Sequence, residues 1–440
     1  MDAKKYSGVK WIGRIPEEWS IGRISHRYDL ALGKMVEPDA GDSERKQYPY
    51  LCAANIKWDG VDINVCKKMY FSASERLQYE VKRGDLLITE GGSVGTSCIY
   101  KEEFGPVCYM QNSVIRARSQ HDGSNAFLRH WLEFVVNSGY LEALCNKATI
   151  SHYTKDKVGK TPLVLLEDSE ASTIAMILDR ECAKIEAIAS MIEKQIEVLE
   201  RYRASVIHEA VTRGLDPTVP TKPSGVNWIG NIPENWDVTP LGYLGSFQNG
   251  ISKDGDSFGE GYPFVSYGDV YSNRSLPATV KGLVKSNTDE QFRYSVKKGD
   301  VFFTRTSETA SEIAFASTCF STIEKATFAG FLIRFRPNGN RLNPRYGSYY
   351  FRNNGLRNYF VKEMMIVTRA SLGQQLLKKL PVLIPSIDEQ ERIADYLDAR
   401  TTAIDAVLET KRKQLDILKR RRQSLIYEYV TGKRRVTEEA

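Results

Sequence analysis

Apolar or core-tolerated residues between positions 167 and 213 fall at Ile174, Leu178, Ile185, Ile188, Ile192, Leu199, Tyr202 and Val206, in steps of three, four or a full seven. Spacing of this kind over several heptads predicts a coiled-coil seam rather than the wider stripe of a globular helix. A second stretch, 388–431, repeats it with Ile393, Leu397, Ile404, Val407 or Leu408, Leu415, Leu418 and Leu425. The two align without gaps at an offset of 219 (393 minus 174). Ile174-Ala-x-x-Leu178-Asp179 recurs as Ile393-Ala-x-x-Leu397-Asp398, and Ile207-x-Glu-x-Val211-Thr212 as Ile426-x-Glu-x-Val430-Thr431. At about 1.5 Å per residue, each helix reaches roughly 65 Å, too long for one small domain. Each predicts a rod.

Ahead of each rod the pattern changes to short strands and turns. Val81-Lys-Arg-Gly84-Asp85 and Val296-Lys-Lys-Gly299-Asp300 each launch an apolar run ending in Thr89 or Thr304, the signature of a buried strand. Residues 127–140 and 344–359 read as helices that follow strand-like stretches. The segment from Ser7 to Trp19 returns from Ser224 to Trp236 as Ser-Gly-Val-x-Trp-Ile-Gly-x-Ile-Pro-Glu-x-Trp, with ten of thirteen positions identical. A repeat of that length is a duplicated domain, not a solenoid. The fold class is therefore α+β: a body over 1–165, a spacer helix over 166–213, a linker over 214–223, a second body over 224–385, a second helix over 386–431, and a tail over 432–440. Three prolines in the linker (Pro217, Pro220, Pro223) predict a stiff, extended segment.

A half-satisfied seam needs a partner, and the nearest is its own copy. Antiparallel pairing of the two helices within one chain would place the two bodies at opposite ends of a spacer. Parallel pairing between two chains is the competing arrangement. The expected seam residues are Ile174, Leu178, Ile185, Ile192 and Leu199 on the first helix, and Ile393, Leu397, Ile404, Leu418 and Leu425 on the second.

Composition narrows the class. The 440 residues carry a net charge of +6, with 42% hydrophobic and 10% aromatic residues, as in a folded protein able to accept a polyanion. The seven cysteines form no C-x-x-C pair, which fits reduced thiols. Neither an apolar signal core nor an eighteen-residue apolar run occurs, so a cytoplasmic protein is expected and no membrane partner.

Two similar but unlike modules at a fixed separation suit a target with two different halves. Duplex DNA is one, since half-sites a helical turn apart (~34 Å) face the same side. Polar and cationic loop residues would read base edges in the major groove. The candidates are Lys147, Ser151, His152, Tyr153 and Lys155 in the first body, and Arg305, Thr306, Arg369, Ser371 and Gln374 in the second. For each, a solvated surface residue is the plain alternative. The basic runs Lys411–Lys413 and Lys419–Arg422 read first as solvated or partner-facing helix surface; against DNA they would add affinity without sequence preference.

The paired Trp-Ile-Gly-x-Ile-Pro-Glu-x-Trp openings, the Gly-Asp-strand-Thr motif in each half, and the run Pro381-x-x-x-Pro385…Glu389-Gln390-x-x-Ile393-Ala394-x-x-Leu397-Asp398 together resemble the specificity (S) subunit of type I restriction-modification systems. The likeness covers essentially the whole chain. It implies two target-recognition domains reading the halves of a split asymmetric DNA sequence. It further implies docking of two methyltransferase subunits and of restriction (translocase/nuclease) subunits. Those partners would use S-adenosylmethionine, ATP and Mg, with no cofactor on this chain. The first half departs from the pattern, reading Leu166-Glu-Asp-Ser-Glu-Ala171 where the second has Pro385-Ser-Ile-Asp-Glu-Gln390.

Catalytic motifs do not appear in the sequence. There is no Asn/Asp-Pro-Pro-Tyr/Phe stretch, and Gly159-Lys160-Thr161 lacks the leading glycine of a P-loop, since position 154 is Thr. Pro38-Asp39…Glu44-x-Lys46 imitates a nuclease signature, but its gap is too short to join two strands. The five histidines show no metal-ligand spacing, and no catalytic set can be assembled. A non-catalytic DNA-recognition subunit is the expectation, with a coiled-coil scaffold for protein partners as the alternative.

Overall fold

The computed structural model describes residues 3–37, 45–65, 67–103, 105, 107–120, 124–144, 152–305, 313–364 and 372–436. Contacts divide the chain into two compact units that cut through both long helices: Met1–Glu193 with Lys413–Ala440, and Lys194–Arg412.

After a short antiparallel pair, Lys4–Tyr6 with Arg14–Pro16, the first unit contains β1 (Ser20–Arg23), β2 (Tyr28–Leu32), β3 (Lys46–Leu51), β4 (Lys67–Phe71), β5 (Leu86–Thr89), β6 (Ser97–Ile99), β7 (Tyr109–Met110) and β8 (Val114–Ser119). An antiparallel sheet runs in the order β6-β5-β8-β2, and a smaller one in the order β7-β3-β4. The expected buried strand is β5, with all four residues buried. Helix α1 (Asn125–Asn137) follows, capped by Ser124, which accepts the Phe127 N–H. It buries Phe127, Leu128, Trp131 and Leu132 in one core with Ile88 and Ile115. Strand β9 (Pro162–Leu165) pairs with β1 and leads into α2 (Asp168–Arg213).

The second unit repeats this order. It contains β10 (Asp237–Pro240), β11 (Gly245–Asn249), β12 (Phe258–Val265), β13 (Leu283–Val284), β14 (Val301–Thr304), β15 (Ala316–Thr318), β16 (Thr327–Phe328) and β17 (Leu332–Pro337). The sheets run β11-β17-β14-β15 and β13-β12-β16, and β18 (Pro381–Ile384) pairs with β10 ahead of α5 (Ile387–Val430). The single helix expected over 344–359 is two, α3 (Pro344–Tyr350) and α4 (Asn354–Met364). Between them the buried Asn353 spends its carbonyl oxygen on the Gly355 N–H at 2.9 Å, which starts a new helix rather than continuing the old.

Both long helices appear where the heptads put them, and in each unit they pair antiparallel. In the second unit Arg203 meets Asp405 at 2.8 Å and Glu200 meets Arg412 at 2.8 Å, so numbers fall on one helix as they rise on the other. In the first unit Glu186 meets Arg422 at 3.2 Å, and Ile185 and Ala189 face Leu415 and Leu418. Ile192 and Ile404 are buried; Ile185, Leu199 and Leu418 are half-buried. Of the alternatives at the second helix, Leu408 points inward at 4% exposure while Val407 stands out at 44%. Ile188 and Tyr202 lie on exposed faces.

The outer seam positions serve the bodies as well. Ile174 and Leu178 belong to the first unit's core, together with Leu425, Ile426, Tyr429 and Val430 from the end of α5. Ile393 and Leu397 likewise join the second unit's core, with Val206, Ile207 and Val211 from the end of α2. Each core thus takes the start of one long helix and the finish of the other. The duplicated Trp-Ile-Gly-x-Ile-Pro motif is where the finish lands: Ile12, Ile15 and Trp19 share a cluster with Ile426 and Val430, and Ile229, Ile232 and Trp236 with Ile207 and Val211.

Candidate nucleic-acid interface

The Gly-Asp turn fixes the strand that each body presents. Gly84 and Gly299 both sit at φ +91, a backbone that L side chains resist. Asp85 accepts the Lys82 N–H at 2.7 Å to close the turn, and Asp300 accepts the Lys297 N–H at 2.7 Å. Each carboxylate is then gripped at both oxygens by an arginine of the neighbouring strand. Arg118 contacts Asp85 at 2.6 and 2.8 Å, and Arg336 contacts Asp300 at 2.6 and 2.7 Å. Such bidentate, charge-assisted pairs are strong and directional. The hydrogen bonds to Asp85 hold Arg118 above the ordinary guanidinium range, outweighing burial.

Two residues earlier on the same face lie Arg116 and Arg334. Arg116 donates to the Glu80 carbonyl at 2.6 Å and Arg334 to the Ser295 carbonyl at 2.6 Å. Burial lowers both guanidinium groups, Arg334 to about 10. Sequence reasoning missed this pair. Its signal was present as Arg-x-Arg at 116–118 and again at 334–336, on alternate residues of one strand.

The strands end at Thr89 and Thr304, and the next residue is held from two sides. The Glu90 N–H donates to the Ser113 carbonyl at 3.0 Å, and its carbonyl accepts the Tyr153 N–H at 2.8 Å. The Arg305 N–H donates to the Phe331 carbonyl at 2.9 Å, and its carbonyl accepts the Leu372 N–H at 2.7 Å. The backbone frame is the same in both bodies; the side chains are not.

Five of the predicted contact residues are described, and they lie at these strand ends or on the segments bonded to them. His152 is exposed, one residue from the Glu90 clamp, with its ring 3.4 Å from where a Cβ on Gly91 would stand. Lys155 is exposed on the short helix Lys155–Lys160, capped by Thr154. Arg305 is half-buried at its strand end, and Gln374 donates to Asn249 Oδ1 at 3.0 Å. Tyr153 differs from expectation. It is fully buried, its hydroxyl 2.6 Å from Thr161 Oγ1, because the apolar ring completes the core beneath the loop. It holds the loop down and is not itself on the surface. Lys147, Ser151, Thr306, Arg369 and Ser371 lie outside the described residues, as do Asp39 and Glu44 of the nuclease look-alike. Among the described residues no group of three or more His, Cys, Asp or Glu could hold a metal ion.

The chain as a whole is similar to known proteins. A family model described as the type I restriction modification DNA specificity domain matches residues 233–416. A Methanocaldococcus jannaschii chain assigned as the type I restriction enzyme MjaX specificity subunit is 25% identical over 448 residues, spanning 97% of this chain and 96% of the relative. The second half of the chain thus matches this specificity domain, and nearly the whole chain is similar to type I restriction enzyme specificity subunits.

The EcoKI specificity subunit of Escherichia coli (strain K12) is 23% identical over 430 residues, covering 92% of this chain and 86% of the relative. In fold, the chain is similar to one from a solved type I R-M system, with a TM-score of 0.71 at 15% identity over 95% of this chain and 99% of the other. The HsdS subunit of Thermoanaerobacter tengcongensis gives a TM-score of 0.50 at 16% identity, with 95% and 98% covered. In the second repeat the buried Gln390 ties the helix start to the body. Gln390 accepts the Asn343 N–H at 2.8 Å and donates to the Arg341 carbonyl at 2.9 Å. The aligned position in the first repeat is Ala171, and there Glu170 instead accepts from the Trp19 indole at 3.0 Å.

Proposed function

We propose that this chain reads DNA sequence for a type I restriction-modification enzyme, each body recognising one half of a split, asymmetric target. Residues 1–165 and 224–385 are the two target-recognition domains, 166–213 and 386–431 the spacer helices, 214–223 the linker and 432–440 the tail. The observation that carries the reading is one backbone frame used twice with different side chains at its edge, as at Glu90 and Arg305. A scaffold for protein partners would have no need of unlike strand-end residues on otherwise matching frames. His152 and Lys155 in the first body, and Arg305 and Gln374 in the second, contact the duplex, together with Lys147, Ser151, Thr306, Arg369 and Ser371.

The chain performs no methylation or cleavage itself. It docks two methyltransferase subunits, which use S-adenosylmethionine, and restriction subunits, which use ATP and Mg. None of the described helices is long and apolar enough to cross a membrane, and the cytoplasm, where DNA and these partners meet, is the proposed location.

Domain exchange tests the reading. Replacing residues 20–165 with the matching part of a relative, in complex with the methyltransferase, should change one half of the recognised sequence and leave the other. Change in both halves, or binding that ignores sequence and stays flat across a salt series, would reject it.

A further inference from the structure

We propose that Glu90 and Arg305 are the matched base-reading positions of the two repeats. Glu90 accepts from the exocyclic amine of a cytosine in one half-target, and Arg305 donates to a guanine in the other. The inference rests on the DNA-reading function above and adds the chemistry of one base in each half.

Equivalence comes first. Both residues directly follow the four-residue buried strand launched by the Gly-Asp turn. Both are clamped by an N–H to the residue before the next sheet strand, Ser113 or Phe331, and by a carbonyl to the segment before a short helix, at Tyr153 or Leu372. A side chain on such a frame has little backbone freedom, which is what positioning against a base edge requires. Both are half-buried, and among the described residues neither side chain has a hydrogen bond or ion pair.

Opposite charge at one frame position then becomes informative. A carboxylate turned toward a polyanion is repelled unless it meets a donor. In the major groove the donors are the amines of cytosine and adenine, and Glu accepts from cytosine N4, whereas Arg fits guanine O6 and N7 with two bonds. The surroundings leave room for this. The two residues after Glu90 are glycines; Gly92 sits at φ +72 with open space where a Cβ would stand, and Gly91 lies beside the exposed His152 ring. In the second body Phe331, whose carbonyl holds Arg305, is 63% exposed, an apolar neighbour suited to a thymine methyl.

The test selects from a library of randomised duplexes with the purified chain bound to its methyltransferase partner, comparing wild type, Glu90→Gln and Arg305→Ala. Wild type should enrich one bipartite sequence with a cytosine in one half and a guanine in the other. Glu90→Gln should exchange that cytosine for adenine, the base glutamine reads, with a change of roughly tenfold to a hundredfold. Arg305→Ala should relax the guanine position in the opposite half by a similar factor and leave the first half intact. Variants that keep the wild-type sequence, or that weaken binding evenly over all sequences at unchanged melting temperature, would overturn the assignment while leaving the DNA-reading function standing. Failure of the wild-type complex to enrich any sequence would instead remove that function, and the assignment with it.

Discussion

His130 Nε2 lies 2.7 Å from Asp179 Oδ1, joining the first body's main helix to the start of α2. The other ring nitrogen, Nδ1, lies 3.2 Å from Arg129 Nη1. A guanidinium can only donate, so Nδ1 accepts and Nε2 carries the proton that Asp179 receives: the neutral imidazole satisfies both contacts. At the aligned place in the second unit Tyr349 donates to Asp398 Oδ1 at 2.6 Å. This is what the duplicated aspartate of Ile-Ala-x-x-Leu-Asp does; it fastens helix to body.

The histidine makes the first fastening sensitive to acid. Burial lowers the His130 imidazole below its ordinary value, although Asp179 pulls the other way. Burial also opposes ionisation of Asp179, yet the His130 hydrogen bond leaves its carboxyl below the usual range. A lowered histidine means that the unfolded chain takes up the proton first. Its contribution is therefore complete above about 6.5 and declines as pH falls below that, while the Asp179 contribution is lost only in the lower carboxylate range. The melting temperature of the first unit should drop between pH 7.5 and 5.5, and the drop should shrink in His130→Gln. Equal drops in both proteins would contradict this.

The Gly-Asp turns should be costly to break. The Asp85 and Asp300 side chains are 5% and 1% exposed, and the Arg118 and Arg336 side chains 32% and 27%. Removing either carboxylate leaves a partly buried guanidinium and an open turn, at about 2–4 kcal/mol after allowance for the arginines' solvent contact. Asp85→Ala and Asp300→Ala should each lower the melting temperature by several degrees in scanning calorimetry. A shift within error for either would deny the turn its structural role.

Helix register offers a sharper comparison. Leu408 and Val407 are neighbours, at 4% and 44% exposure. Leu408→Ala removes a buried side chain and should cost about 2–4 kcal/mol, whereas Val407→Ala should stay within about 0.5 kcal/mol. Chemical denaturation of the two variants side by side checks it; equal costs would mean a different helix pairing.

The cysteines should be quiet. Burial pushes the thiols of Cys98 and Cys182 up to about 12 and that of Cys319 to about 11. Thiolate, not thiol, is the nucleophile, so alkylation of these three in the native protein at pH 7.5 should be slow and become fast on unfolding. Mass spectrometry of iodoacetamide-treated protein reads this directly, and prompt native labelling would refute it.

Much of this was legible before the structure. Heptad spacing located both long helices to within a residue or two, because a seam over many turns leaves a strong periodic trace. The Gly84-Asp85 and Gly299-Asp300 strands were legible because turn chemistry and an apolar run agree. Other features left no local trace. That Leu425, Ile426 and Val430 complete the core around Ile12 and Trp19 depends on contacts more than four hundred residues apart in sequence. That Tyr153 is core rather than surface depends on the Thr161 hydroxyl and the ring's neighbours, not on the polar stretch around it. The break between Tyr350 and Asn354 did leave a trace, since Asn353-Asn354-Gly355 favours caps and turns over a helix interior, but the apolar pattern on either side outweighed it. Residue type and loop position nominated Arg305 and His152, and both stand beside the matched strand ends. The equivalence of Glu90 and Arg305 was not legible, because it rests on backbone bonds to Ser113, Tyr153, Phe331 and Leu372, all distant in sequence.

The central claim is that two unlike readers on one chain specify a single split sequence. Modified adenines can be mapped across the genome of cells carrying this chain with its methyltransferase partner, and again after its gene is deleted. The account predicts one bipartite, asymmetric motif, methylated in the first case and absent in the second. A motif that persists without the chain, or a pattern with only one defined half, would contradict it.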